Sequence, residues 1–529
     1  MTRRIISFAT AVITAMFISG LGNADARNGK LELTLKGENV KVARVVVSDN
    51  SGMKLGPEGN SVSASLKKEQ SLIKGVPVQI SLKAPKGAFS KGCTVKIFDA
   101  EGNAVAFKTL TGNCAEISGR KAVSVEISGI NAVNAESAEV SARGYYKDLL
   151  MDSSVYLSQR DTLYAADQMG WKYDFVMTRD SLLMLEYLVT SDKDLNGCLI
   201  YPDGEPRYRM MYVNGGLAAS HGEYFGETGR EQVRTFIRNG GSYVGSCAGA
   251  LLAGTGTDRR SVVKVYFGIF PGITIFTDLK RAFTPLSIPE DSPLLKYYDF
   301  GGDHLVDSIL HNGGDFCADT TIARIKGAEV LARFVAPGKP YDKQACIWAY
   351  KDNDVMGRVV PCGSHPEINQ EGERIDLMKA MCRYAVDGNG ITQVKAELVN
   401  GQERIMDQLS SAAKPEYARI GDKQYHHYKI VVPAGAKSLK ITLKADDAYD
   451  LSLSVRKGGF AWRTDSPYVL AQDGATKTLE LSDPEAGEWY ISVYCATCGT
   501  TTCAKNVFTY NGDTSVLNGI PYVIKADWK

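Results

Sequence analysis

Cys247 is the residue whose sequence surroundings are best suited to covalent chemistry. It lies within GSCAG (245–249), with an apolar strand pattern before it and small, apolar residues after it. This pattern predicts a nucleophile elbow, a sharp strand-to-helix turn in which glycines two residues before and after the nucleophile prevent clashes. The helix N-terminus would favour a thiolate, and the Ala248 amide would point toward a developing oxyanion. The alternative is a buried helix start in which Cys247 only packs.

A base for this nucleophile is predicted at His365, in the segment GRVVPCGSHPE (357–367). In an extended segment, residues two apart project to the same side, so His365 and Glu367 can be neighbours. A carboxylate in that place fixes the imidazole tautomer and stabilises the imidazolium. A His-Pro-Glu tripeptide alone is typical of a surface turn. Its position after a strand, downstream of a cysteine elbow, favours a Cys247–His365–Glu367 catalytic triad.

A third motif is MMYVNGGL (210–217), an apolar strand that ends in Gly215-Gly216. It precedes the elbow by one predicted helix, so its loop is expected beside Cys247. There the Gly216 amide would be a second donor to the oxyanion, alongside Ala248. The alternative is a plain tight turn, which is all that two glycines alone indicate.

Four further residues are weaker candidates. His304 ends the sequence Gly-Gly-Asp-His, and His311 begins HNGGDF. Each either lines the pocket or caps a turn. His221 and Glu223 follow the Gly-Gly loop, and a solvated loop is favoured for them over a place in the cleft.

The sequence indicates no cofactor and no metal site. Cys495-x-x-Cys498 with Cys503 resembles half of a zinc site, but no fourth ligand lies near it in the sequence. A disulfide with a leftover thiol is therefore favoured there. One loop carries three carboxylates that either hold calcium or are solvated, and solvation is favoured. These are Asp446, Asp447 and Asp450.

Three regions with different patterns must position these residues. Residues 145–389 alternate helical stretches (160–169, 230–239, 374–386) with apolar runs, which predicts an α/β domain with a mostly parallel sheet. In such a sheet, function lies at the carboxyl ends of the strands. Residues 30–140 and 395–529 show period-2 runs between turn residues. They predict two flanking β-sandwich domains, the first of them antiparallel.

The middle region resembles the class I glutamine amidotransferase-like superfamily, whose motifs follow in this order. Within that superfamily it is similar to the biotin–protein ligase N-terminal domain family. The shared segments are NGGL (214–217), NGGSYVGSCAGA (239–250), HNGGDF (311–316) and GRVVPCGSHPE (357–367). The resemblance implies a flavodoxin-like sheet, with Cys247 as nucleophile, His365 as general base and Glu367 as its orienting partner.

Two limits apply to what that resemblance implies. Ser364 stands where true glutaminases often carry an aromatic residue, so the resemblance does not extend to glutamine specificity. Biotin ligase activity is not implied either, because neither flanking region contains a ligase catalytic domain or an adenylate-binding loop.

The last region resembles the bacterial pre-peptidase C-terminal domain, which accompanies secreted hydrolases as a non-catalytic module. The resemblance rests on VPAG (432–435), DLSLSVR (450–456) and GEWYISV (487–493). It covers about the last 105 residues.

Residues 1–26 are predicted to be a signal peptide. Arg3 and Arg4 precede the apolar run IISFATAVITAMFIS (5–19), and Ala24-Asp25-Ala26 fits a cleavage site. A membrane anchor is the alternative, but it needs about 20 apolar residues. Export places the protein in the periplasm, on the cell surface or outside the cell. Disulfides are expected in such a compartment, and Cys93 with Cys114 is one candidate pair among eleven cysteines.

Composition limits the classes of function. The chain has 529 residues, which predicts roughly three or four domains, and its net charge of +1 gives no basic footprint for nucleic acid. No other stretch is long enough to span a membrane. We therefore expect a secreted cysteine-dependent acyl-transfer enzyme acting on a small-molecule or peptide amide. The alternative is a non-catalytic module that binds a ligand or polysaccharide at the cell surface through its β-sandwiches.

Overall fold

The computed structural model of the protein describes residues 144–152, 162–176, 194–368, 371–409, 414–464, 466–504 and 507–529, together with the backbone of nine strands before residue 131. The chain divides into two compact units. The first comprises Met1–Glu139, Gln168–Gly170 and Leu294–Phe300, and the second comprises Val140–Asp167, Trp171–Pro293 and Gly301–Lys529. The predicted α/β and C-terminal regions therefore belong to the same unit.

The first unit contains strands β1 to β9. They are β1 (Ala11–Thr14), β2 (Gly29–Lys36), β3 (Arg44–Asp49), β4 (Val62–Lys68), β5 (Val78–Ile80), β6 (Cys93–Phe98), β7 (Ala104–Leu110), β8 (Ile117–Gly119) and β9 (Ser124–Ile130). They form two sheets in the orders β4-β2-β1-β5-β8 and β3-β9-β6-β7. Antiparallel pairing was expected throughout, but β2 pairs with β4, and β3 with β9, in parallel. These pairs join strands that are not consecutive, and such crossovers permit parallel pairing.

Strand β1 lies within the predicted signal peptide, and the other residues of 1–26 lie outside the described part of the chain. Cleavage after Ala26 therefore stays a prediction. The same holds for a Cys93–Cys114 disulfide, because Cys114 and the side chain of Cys93 also lie outside the description.

The α/β region begins the second unit. Its elements are β10 (Lys147–Asp152), α1 (Tyr164–Met169), β11 (Tyr173–Val176), β12 (Tyr208–Val213), α2 (Ala218–Tyr224), α3 (Gly226–Arg238), β13 (Ser242–Ser246), α4 (Ala248–Ala253), β14 (Gly256–Thr257), β15 (Ile273–Phe276), β16 (Ala282–Ser287), β17 (Leu305–His311), β18 (Asp315–Phe316), α5 (Asp319–Ile322), β19 (Ala328–Phe334), β20 (Ala345–Tyr350), β21 (Val359–Cys362) and α6 (Glu373–Val386). The three helices predicted in this region correspond to α1, α3 and α6.

Nine of these strands form one mixed sheet, in the order β11-β10-β12-β13-β21-β20-β19-β16-β17. The strands from β11 to β21 run parallel, whereas those from β21 to β17 pair antiparallel. The expectation of a mostly parallel sheet is therefore wrong for its second half. The physical reason is the connections, because strands joined without a crossover helix pair antiparallel.

The parallel half brings the predicted site residues to one edge of the sheet. Strands β12 and β13 are buried along their whole length, as expected for strands covered on both faces. In chain order the parallel strands are arranged 2-1-3-4-5, so the strand order reverses between β10 and β12. In open α/β sheets, ligands bind beside such a reversal, at the carboxyl ends of the strands.

The C-terminal region contains the remaining strands. They are β22 (Ala396–Glu397), β23 (Glu403–Met406), β24 (Tyr425–Val432), β25 (Ser438–Lys444), β26 (Leu451–Lys457), β27 (Tyr468–Leu470), β28 (Lys477–Ser482), β29 (Gly487–Cys495), β30 (Gly499–Ala504), β31 (Val507–Gly512) and β32 (Tyr522–Trp528). They form sheets in the orders β22-β24-β29-β26-β27, β23-β32-β25-β28 and β30-β31. One buried apolar cluster draws residues from the first two sheets.

Buried polar contacts join the α/β region to the C-terminal strands. Arg207 and Asp422 form an ion pair at 2.7 Å, and both side chains are almost fully buried. The Tyr510 hydroxyl donates to Asp194 at 2.9 Å. The segment 194–207 leads directly into β12, so these contacts fix the chain at the entrance to a site-bearing strand. No described helix is both long and apolar enough to cross a membrane.

Candidate functional site

Cys247 lies between β13 and α4 with φ 50° and ψ −105°. A positive φ is uncommon for a residue with a side chain and persists where the surroundings enforce it. The Cys247 amide donates to the Cys362 carbonyl at 2.8 Å, and its Sγ lies 4.0 Å from the Asn312 carbonyl oxygen. The backbone therefore makes the strained strand-to-helix turn that the GSCAG pattern predicts.

The two glycines of this pattern face each other across the turn. A Cβ on Gly245 would lie 2.6 Å from the Gly249 carbonyl, and a Cβ on Gly249 would lie 2.1 Å from the Val213 carbonyl oxygen. Real Cβ atoms do not approach backbone so closely. Glycine is therefore required at both positions by the tight packing of α4 on β12 and β13.

His365 and Glu367 follow β21 at the same edge of the sheet. The His365 Nδ1 atom lies 2.9 Å from Glu367 Oε1, and both side chains are fully buried. The His365 amide donates to the Leu310 carbonyl at 2.9 Å, which ties this segment to β17. The two side chains are therefore neighbours, as the spacing in the sequence predicts.

The charge of His365 follows from its two neighbours. Burial by itself lowers the pKa of His365, but the Glu367 carboxylate and the nearby Cys247 raise it, and the resulting pKa is about 11. A carboxylate within hydrogen-bond distance favours the charged imidazole. At neutral pH, His365 is therefore an imidazolium that lies between Cys247 and Glu367.

The Gly-Gly loop after β12 lies against the imidazole. A Cβ on Gly215 would be 2.3 Å from His365 Cε1, so only glycine fits there. Gly216 has φ 155°, in the region that favours glycine. The loop is therefore placed beside His365. The oxyanion roles of Gly216 and Ala248 stay predictions.

The other predicted pocket histidines occupy different surroundings. His311 is fully buried and its Nε2 lies 2.8 Å from Thr284 Oγ1. Burial and the nearby charge of His365 lower the pKa of His311 to about 3, so it is neutral. His304 is a half-buried turn residue with φ 59°, and its carbonyl accepts from Ile288. A pocket role for either residue stays a prediction.

The structure contradicts the prediction that His221 lies in a solvated loop. This residue lies in α2 with 1% exposure, and its Nδ1 is 3.9 Å from Asp152 Oδ2. Glu223, two residues later, is exposed as expected. Asp152 was missed, although one signal was present: it ends the buried strand KDLLMD, at the sheet edge where functional groups gather.

Ser364 contacts a cluster of thiols. Its Oγ lies 3.2 Å from Cys362 Sγ and 3.4 Å from Cys346 Sγ. Ser364 itself is fully buried, so a larger side chain at this position would need the space that these thiols fill.

Seven of the described cysteine thiols are free. They are Cys247, Cys317, Cys346, Cys362, Cys382, Cys495 and Cys498. The disulfide expected among Cys495, Cys498 and Cys503 is therefore absent, because two of its three members are unpaired.

The loop aspartates serve as backbone acceptors. Asp447 Oδ1 accepts from the amides of Ala475 and Thr476, and Asp450 Oδ1 accepts from Gly474. These bonds hold two neighbouring loops together. Among the residues that the structure describes, no cluster of candidate metal ligands occurs.

Comparison with known proteins confirms both resemblances. Residues 424–494 match the family model of the bacterial pre-peptidase C-terminal domain. The chain is 27% identical over 184 residues to the biotin–protein ligase of Schizosaccharomyces pombe, an alignment that covers 31% of this chain and 26% of the ligase. The chain thus spans about a quarter of the length of that curated relative.

Two solved structures are similar to parts of this chain. A glutamine amidotransferase aligns with 45% of this chain and 98% of its own, at 15% identity and a TM-score of 0.29. The pre-peptidase C-terminal domain of a Bacillus anthracis collagenase aligns with 26% of this chain and all of its own, at 10% identity and a TM-score of 0.15.

Proposed function

We propose that the α/β region is a cysteine-dependent acyl-transfer enzyme that hydrolyses an amide or peptide bond, with Cys247, His365 and Glu367 as its triad. One observation carries the proposal: a single buried imidazole, that of His365, lies 2.9 Å from Glu367 and close enough to Cys247 for that residue to raise its pKa. A structural cysteine needs neither a strained turn nor an imidazolium beside it.

The reaction follows from these positions. The Cys247 sulfur, as thiolate, attacks the carbonyl carbon, and the amides of Ala248 and Gly216 donate to the oxyanion. His365 gives its proton to the leaving amine as the carbon–nitrogen bond breaks, which leaves a thioester. The neutral imidazole then removes a proton from water, which attacks the thioester and releases a carboxylic acid and Cys247. Glu367 keeps the ring oriented in both steps.

The proposal also covers the location of the protein, its C-terminal region and its substrate. We expect export through the 1–26 segment, and the pre-peptidase C-terminal match supports it because such domains are typical of secreted bacterial proteins. The two larger C-terminal sheets, which share one apolar cluster, are proposed to form a β-sandwich. The substrate is proposed to be a small-molecule or peptide amide. No nucleic-acid partner is proposed.

The test is the pH dependence of iodoacetamide alkylation at Cys247, read peptide by peptide. Cys498 is an internal reference, because burial and the nearby Asp422 raise the pKa of its thiol to about 11. We expect fast alkylation of Cys247 at pH 6, loss of that reactivity in His365→Ala, and slow reaction of Cys498 in both proteins. A set of p-nitroanilide amides then tests turnover.

The opposite result favours the binding module. If Cys247 is inert at pH 6 in the wild-type protein, or reacts equally well in His365→Ala, the triad is not a catalytic unit. The elbow is then a scaffold, and contact with a ligand or polysaccharide through the flanking sheets becomes the function to pursue.

A further inference from the structure

A second buried acid–imidazole pair lies at the same edge of the sheet as the triad. Asp152 is the last residue of β10, in register with Val213 of β12, and it is fully buried. Its Oδ2 lies 3.9 Å from Nδ1 of His221, which is 1% exposed. This distance is an ion-pair contact, longer than a hydrogen bond. Neither residue belongs to the triad. Because burying an acid and an imidazole costs free energy of folding, a functional role for the pair is worth seeking.

The pair connects the sheet to the helix that follows the Gly-Gly loop. Helix α2 begins directly after Leu217, whose carbonyl accepts from the His221 amide at 2.9 Å. No side chain caps α2, so other contacts must hold the start of the helix in place. One such contact is at Gly222, where a Cβ would lie 2.0 Å from the Val265 carbonyl oxygen. Another is the His221–Asp152 pair.

Asp152 also lies close to the elbow itself. Burial, and then the charge of Asp152, raise the pKa of Tyr243 well above its ordinary value. The Tyr243 hydroxyl donates to the Gly249 carbonyl at 2.7 Å, inside α4. Asp152 is therefore near both helices that begin at the site: α2, which follows Gly216, and α4, which follows Cys247.

We infer that His221 and Asp152 are positioning residues that hold the Gly215-Gly216 loop where its amide meets the oxyanion. The inference rests on the proposed function, because it assigns a task within that reaction. A shift of α2 would move Gly216 directly, since one residue separates them. The sulfur and its base would stay in place, because β13 and β21 carry them.

The test separates two reactions of the same sulfur. In alkylation by iodoacetamide the thiolate displaces iodide, and no oxyanion forms. In acylation by p-nitrophenyl acetate the thiolate attacks the carbonyl, an oxyanion forms, and p-nitrophenolate leaves behind an acetyl thioester. The variants are Asp152→Asn, His221→Leu and His221→Gln, and His427→Gln removes another buried histidine as a matched control.

Removing one oxyanion donor slows reactions by about 100-fold or more, so a displaced donor should slow acylation at least about tenfold. We expect Asp152→Asn and His221→Leu to lose acylation rate by this factor while their alkylation rate stays nearly unchanged. In His221→Gln the acylation rate should recover in part. His427→Gln should show wild-type rates for both reactions. An unchanged ratio of acylation to alkylation in folded variants overturns the inference. So does unfolding of all three variants, which would assign the pair to stability alone. If the wild-type protein neither alkylates nor acylates, it is the proposed function that fails.

Discussion

Replacement of Glu367 by glutamine should change the charge of His365 while leaving its shape and burial nearly intact. The pKa of His365 rises from 6.5 to about 11 against the effect of burial, and Glu367 is the largest cause of the rise. At about 1.4 kcal/mol per pKa unit, the rise represents on the order of 6 kcal/mol between the two protonation states. Without the carboxylate, burial should lower the pKa of His365 substantially, because only Cys247 is left to oppose it.

The assay is NMR of protein labelled with ¹⁵N-histidine, which contains six histidines. At pH 8.5 the wild-type protein should show an imidazolium at His365, while His311 and His427, whose pKa values burial lowers to about 3, are neutral. The imidazolium signal should disappear in Glu367→Gln. It should persist in Glu371→Gln, a matched variant of a nearby exposed glutamate.

The same change has a stability consequence of known sign. Because the folded protein holds a proton on His365 that the unfolded chain loses above about pH 6.5, the contribution of this pair to stability is fully present below that pH. It declines as the pH rises toward 11. Urea unfolding should show Glu367→Gln most destabilised at pH 6 and progressively less so at higher pH. An imidazolium that survives at pH 8.5 in Glu367→Gln, or a stability difference that grows with pH, would refute this reasoning.

Three further changes test the elbow and the C-terminal contacts. Cys247→Gly should abolish alkylation at this site. It should also raise the free energy of unfolding by about 1 kcal/mol, because glycine adopts the positive φ without strain, and urea unfolding measures that free energy. Gly249→Ala should lower the midpoint of thermal unfolding and slow alkylation, because its Cβ would collide with the β12 backbone, whereas Gly459→Ala, with open space around it, should be neutral in both. Asp422→Ala should cost about 3–5 kcal/mol by leaving Arg207 buried and unpaired, and the double change Arg207→Met/Asp422→Leu should recover most of it. Equal losses in the single and double variants would contradict that last account.

Local patterns were enough to place most secondary structure and the candidate triad. The GSCAG sequence predicted the turn at Cys247 because only glycine tolerates backbone contact on both sides of it. His365 and Glu367 were predicted as neighbours because alternate residues of an extended segment share a side. Each of these inferences depends on residues close together in the chain.

Pairing between strands that are distant in the sequence could not be predicted from such local patterns. The antiparallel half of the large sheet and the parallel pairs β2–β4 and β3–β9 depend on which strand reaches which neighbour. The free state of Cys495 and Cys498 likewise depends on how the chain places their side chains. Period-2 patterns give the faces of a strand but not its partners.

The sequence by itself therefore determined the elbow, the order of the site motifs and the strands that carry them, because glycine requirements and side-chain alternation are local. The tertiary structure decided that the charge of His365 is set jointly by Glu367 and Cys247, and that His221 is buried against Asp152. It also decided that Arg207 pairs with Asp422, more than 200 residues later. Burial and charge pairing depend on distances in space, which only the folded chain sets.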